Sequence, residues 1–136
     1  MPTTTDLLRG AVLLWLVSGA VACAPIAHGV VRVPRSYDEV FAASLAAIQD
    51  AEFTVTSQER QHGAIVAEKR LPQAEGDILQ MTVRITHAPT GTTVVATVVP
   101  PAGPLAPGEK PCKCHVKRFV AALEQRMPDV QVLSIQ

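Results

Sequence analysis

Aromatic side chains are scarce, at 4% of the chain. That leaves too few rings to stack bases or to floor a sugar site. Net charge is missing as well. Twelve basic and twelve acidic side chains cancel, and no block of like charge stands out. The chain therefore has no electrostatic footprint for nucleic acid. It contains no Ser-His-Asp order, phosphate-cradling glycine loop or H-E-x-x-H pair, so the common catalytic signatures are absent. There is no repeat at solenoid spacing. What remains is 48% hydrophobic and 18% charged over 136 residues. That excludes a disordered polyelectrolyte and favours one domain.

Apolar residues concentrate first at the N-terminus. After the weakly charged MPTTTDLLR, an apolar run extends from Gly10 to Ala22 with no Asp, Glu, Lys or Arg. It is shorter than the roughly 20 residues a bilayer span needs, and it closes in small residues. A short apolar middle with a small-residue end is the pattern of a secretory signal. Ala20-Val21-Ala22-Cys23 then resembles the lipobox of bacterial lipoproteins. In that family signal peptidase II cuts before a cysteine whose thiol already carries diacylglycerol. The resemblance implies a signal peptide over 1–22, a lipid on Cys23 and a tether over 23–29 that includes His28. Ala24, which is not aspartate, implies sorting to the outer membrane on its periplasmic side. Ala20 in place of leucine, and Asp6 in the leader, depart from the family pattern. Three alternatives compete: ordinary cleavage that releases a soluble periplasmic protein, an uncleaved membrane helix, and a buried core helix, against which the position of the run and its lack of a polar face weigh.

The rest reads as one domain over 30–136. Gly29–Val33 is a short β-rich run stopped by Pro34. Ser36 and Glu39 form a capping box. Tyr37, Phe41, Leu45 and Ile48 follow at helical spacing, with Val40, Ala47 and Ser44 beside them, to an end near Asp50. Ala51–Thr56 and Ala64–Glu68 read as strands around a Gln61-His62-Gly63 turn. Leu79, Met81, Val83 and Ile85 alternate with Gln80, Thr82, Arg84 and Thr86, which marks a strand with one wet face. Thr93–Val99 is its more apolar partner. A Pro-rich loop covers 100–111, where Pro101, Pro104 and Pro107 act as stiffeners. Val116, Phe119, Val120, Leu123 and Met127 predict a second helix, and Val130, Val132 and Ile135 a possible last strand.

The order β-α-β-β-β-β-α predicts an α+β fold. Its form is a two-layer sandwich with an antiparallel sheet of four to five strands and two helices on one face. Thr54, Thr56, Gln80, Thr82, Arg84 and Thr86 lie on the other. SYDEVFAASLAAIQDAEFTV followed by GAIVAE resembles the small helix-grip or TBP-like domains of bacterial outer-membrane lipoproteins, the BamC type among them. Such a domain implies a packing arrangement and not an active site.

One stretch carries chemistry: Cys112-Lys113-Cys114-His115. In an oxidising envelope a Cys112–Cys114 pair is expected to close as a disulfide, small and strained. Metal binding by Cys112, Cys114 and His115, thiol redox work at a helix start, and two free or intermolecular thiols are the alternatives. His62 and His87 read as exposed turn and strand-end residues. The reading is thus a non-enzymatic envelope lipoprotein without a cofactor. It is held to a membrane through Cys23 and presents a sheet face or the Pro-rich loop to another envelope protein. The alternative is a periplasmic metal or redox protein.

Overall fold

The computed structural model describes residues 26–71, 78–101 and 110–136. The expected signal peptide, Cys23 and the centre of the Pro-rich loop lie outside the described residues. Eight elements follow in order: β1 (Ala27–Val33), α1 (Tyr37–Asp50), β2 (Thr54–Glu59), β3 (Ala64–Arg70), β4 (Ile78–Ala88), β5 (Gly91–Val99), α2 (Cys112–Arg126) and β6 (Gln131–Ile135). The architecture is α+β, with one six-stranded sheet in the order β2-β3-β4-β5-β1-β6. Every pairing is antiparallel. The expected four to five strands become six because Gln131–Ile135 adds to the free edge of β1.

Alternation fixes the layers. Leu79, Met81, Val83 and Ile85 of β4, with Val94, Ala96 and Val98 of β5, are buried under the helices. From α1, Val40, Phe41, Ser44, Ala47 and Ile48 face that core. From α2, Cys112, His115, Val116, Phe119, Val120, Ala122 and Leu123 do so. Phe41 and Phe119 are the largest side chains enclosed, each contributing roughly 1.5–3 kcal/mol by burial.

The helix starts differ. Ser36 caps α1 by accepting from the Glu39 N–H, and its hydroxyl meets Glu39 Oε1 at 3.2 Å. Asp38 and Glu39 add negative charge to the first turn, where the helix dipole favours it. The start of α2 has only Pro111, with no side-chain cap and no acid in its first turn. The end of α1 is a Schellman turn. Phe53 N–H donates to Ile48 O at 3.1 Å and Glu52 N–H to Gln49 O at 2.9 Å, which satisfies two final carbonyls.

Two glycines set the packing. Gly29 lies under α2, where a Cβ would come within 2.6 Å of Val116 Cγ1. Gly63 closes the β2–β3 turn at φ +62°, and its carbonyl accepts from Ile85 N at 2.7 Å. The domain starts earlier than the boundary expected at residue 30. Ala27 and His28 are already paired with Val98 and Thr97, and His28 exchanges two backbone hydrogen bonds with Gln136. His28 is therefore a strand residue and not part of a tether.

Candidate functional site

The Cys112–His115 stretch does not form the loop that a clip requires. Pro111 is already the helix N-cap, so Cys112 and Cys114 both occupy the first turn of α2. At about 100° per residue, side chains two apart diverge across the helix. Cys112 is buried, Cys114 is exposed, and both thiols are free. The expected disulfide is thus corrected by helix geometry. The same divergence takes Cys114 away from the other two candidate metal ligands, Cys112 and His115, which share the buried face of α2. His115 goes into the core, where its ring meets the edge of Phe53 at 5.8 Å and 85°. Among the described residues no three His, Cys, Asp or Glu side chains gather to hold an ion. Nor does the helix start activate Cys112: burial pushes its thiol up, with a backbone hydrogen bond opposing. A thiol held protonated is a poor nucleophile and a poor ligand.

Two shallow depressions flank the sheet. One is lined by Glu52, Thr54, Thr56, Glu68, Lys69, Arg70 and Ile78. Within it Glu52 sits 3.6 Å from Lys69 Nζ and 3.2 Å from Arg118. Arg118, aided by Lys69, holds the Glu52 carboxyl below the usual carboxylate range. The other, at the opposite end of the sheet, includes Tyr37, Asp38, Arg60, His62 and His87. Tyr37 stacks on His87 at 4.7 Å, and its hydroxyl donates to Arg60 O at 2.6 Å. Arg60 turns to Asp38 at 3.2 Å and lies over the Phe41 ring. His62 pairs with Glu59 at 3.1 Å. These polar groups hold the corner together. Histidines 62 and 87 are exposed, as the sequence implies.

The uncovered sheet face is different. Register places His28, Thr97, Thr82 and Val66 in one row, and Val30, Val95, Arg84 and Ala64 in the next. Val30, Val66, Val95 and Val99 are half-buried there, so this face is more apolar than the threonines of the sequence suggest. Gln80, Thr82, Arg84 and Thr86 lie on it as expected. Thr56 falls at the bulge of β2 and bonds to Val66 O. Charge is distributed unevenly between the two sides. Arg35, Arg60, Arg118 and Arg126 each pair with a carboxylate. Arg32, Arg70 and Arg84, at outward-facing positions of the open side, have no ion-pair partner among the described residues.

Sequence reasoning did not foresee the exposure of four apolar side chains among the described residues: Ile26, Ile78, Val132 and Leu133, at 39–51%. Ile78 carried a signal, since it occupies a wet-face position of the alternation that Gln80 and Thr82 continue. The molecule is an open-faced α+β sandwich whose candidate surface is a sheet face and not a cleft. No protein-family model matches the chain, and no curated protein matches it.

Proposed function

We propose that this chain is a lipid-anchored, non-enzymatic protein of the bacterial envelope. It acts by holding a small domain at the outer membrane, on the periplasmic side, and presenting the open sheet face to another envelope protein. The observation that carries the reading is Ala20-Val21-Ala22-Cys23 at the end of a short apolar run. Its distance from the fold supports it: β1 begins at Ala27, so a lipid on Cys23 leaves only a short tether. The half-buried valines and unpartnered Arg32 and Arg84 support the sheet face as the presented surface, because apolar area beside unpaired arginine is characteristic of protein contacts. Cys114 is exposed while Cys112 and His115 are buried on the opposite side of α2, and that split weighs against metal or redox work.

Intact mass of the protein extracted from a bacterial envelope tests the anchor. The expected product starts at Cys23 and carries a diacylglycerol-type addition, and Cys23→Ser abolishes it. A water-soluble product with an unmodified N-terminus would overturn the reading.

A further inference from the structure

The topology gathers several chain segments at one end of the sheet. There β1 begins opposite the last residues of β5, β4 begins opposite Arg70, and Gln136 pairs with His28. Val116 lies against Gly29, so the first turn of α2 is level with the same end. Of the four large apolar residues exposed among the described residues, two, Ile26 and Ile78, stand there. Arg70, Lys110 and Lys113 are exposed there too, and none has an ion-pair partner among the described residues. Twenty-five residues precede Ile26, and the chain enters the fold at this end.

We infer that this end of the sheet is a lipid-facing surface, seated on phospholipid headgroups with Ile26 and Ile78 at the interface and Arg70, Lys110 and Lys113 beside phosphates. The inference rests on the lipid-anchor reading and adds an orientation to it. Isoleucines at the interface and cations against anionic headgroups each strengthen attachment to a bilayer. A tether as short as Ala24–Pro25 keeps the end close to the membrane. The sheet then stands upright, and the Tyr37–His87 corner is lifted away by the length of the strands, roughly 25 Å at about 3.3 Å per residue.

The test uses the processed, lipid-bearing protein in vesicles of phosphatidylethanolamine and phosphatidylglycerol. Cys114 is exposed at the inferred contact and takes a thiol-reactive fluorophore, while Cys112 is buried. A phospholipid with a nitroxide on its headgroup should quench the label at Cys114. It should spare the same label in the Gln61→Cys, Cys114→Ser protein, at the far end. Joint replacement Ile26→Glu and Ile78→Glu should remove most of the quenching. Equal quenching at both positions, or full quenching in the double variant, overturns the orientation. Intact mass separates the two failures. If Cys23 proves bare, the anchor reading falls, and flotation of the unlipidated chain with phosphatidylglycerol vesicles tests the surface alone. Flotation lost in the double variant upholds it; no flotation overturns it.

Discussion

Glu52 has a φ of 67°, a left-handed value that L side chains avoid. It occupies the position after the α1 C-cap where glycine is the usual residue. Its carboxylate meets Lys69 and Arg118, so one strained residue ties the α1–β2 corner to β3 and to α2. Exposed pairs return little stability, and glycine enters this conformation without steric cost. Glu52→Gly is therefore expected to raise the melting temperature by a few degrees. It should also blunt acid sensitivity. The Glu52 and Asp129 carboxyls are both held below their ordinary range, by Arg118 and Arg35 respectively. A depressed carboxyl stabilises the fold above its unfolded pKa, about 4. That contribution is lost as pH falls through the folded value. Thermal melts from pH 6 to pH 3 should decline below about pH 4 in the parent protein and less steeply in Glu52→Gly. A second residue runs against its surroundings. Ser44 is fully buried on α1, and its Oγ has no hydrogen-bond partner. Ser44→Ala removes an unmet hydroxyl without opening space, so denaturant unfolding should show a gain of about 1 kcal/mol.

At the scale of elements, the geometry of α2 governs the thiols. A native protein exposed to a thiol reagent should take one adduct in the folded domain, at Cys114. The second, at Cys112, should appear only on unfolding, and reductant should change neither count. Mass spectrometry of native and denatured samples decides this, and a reducible Cys112–Cys114 link would contradict the helix. The same element explains what the sequence could and could not reveal. Helix α1 was legible to the residue, because Ser36, the Tyr37–Phe41–Ile48 stripe and its acidic first turn are all local signals. Strand β4 was legible from alternation, with Gly63 marking the turn before β3. The start of α2 was not, because proline and two cysteines carry no apolar period before Val116. The first residues of β1 were hidden for another reason. Ala27 has poor strand propensity, and Ala27 and His28 are held by pairing with distant Val98, Thr97 and Gln136. Gly29 is required because α2 packs onto it, a contact that local sequence does not encode. The candidate sheet face was half legible. Its Thr, Gln and Arg positions follow from the β4 pattern. Its valines come from β1, β3 and β5, strands whose two faces look equally apolar in sequence.

For the whole molecule, the decisive feature is where β1 sits. The strand nearest Cys23 lies inside the sheet, between β5 and β6. A strand at an edge could be peeled from its neighbour one hydrogen bond at a time when pulled from its end. β1 is clamped on both sides, by seven register pairs to β5 and by β6 on the other. It also packs under α2 through Gly29. The last residues of the chain thus secure the strand that would bear the load of an anchor. The two edges both carry a register shift but differ in composition: β2 is a polar strand, TVTSQE, whereas β6 is QVLSI with Val132 and Leu133 exposed. Polar and charged side chains protect an edge from association, and β6 has no charge to do so. Removal of residues 131–136 should therefore have two separable effects. Loss of the β1–β6 ladder should cost on the order of 3 kcal/mol in denaturant unfolding. Hydrogen exchange at β1 amides, His28 among them, should rise toward that of β2, while β4 and β5 stay protected. Leu133→Lys keeps the ladder and adds a charge to the edge. It should leave β1 exchange unchanged and reduce self-association in sedimentation. If the truncated chain kept its stability and the slow exchange of β1, β6 would be an ornament of the edge and the clamp would lie in β5 and α2 alone.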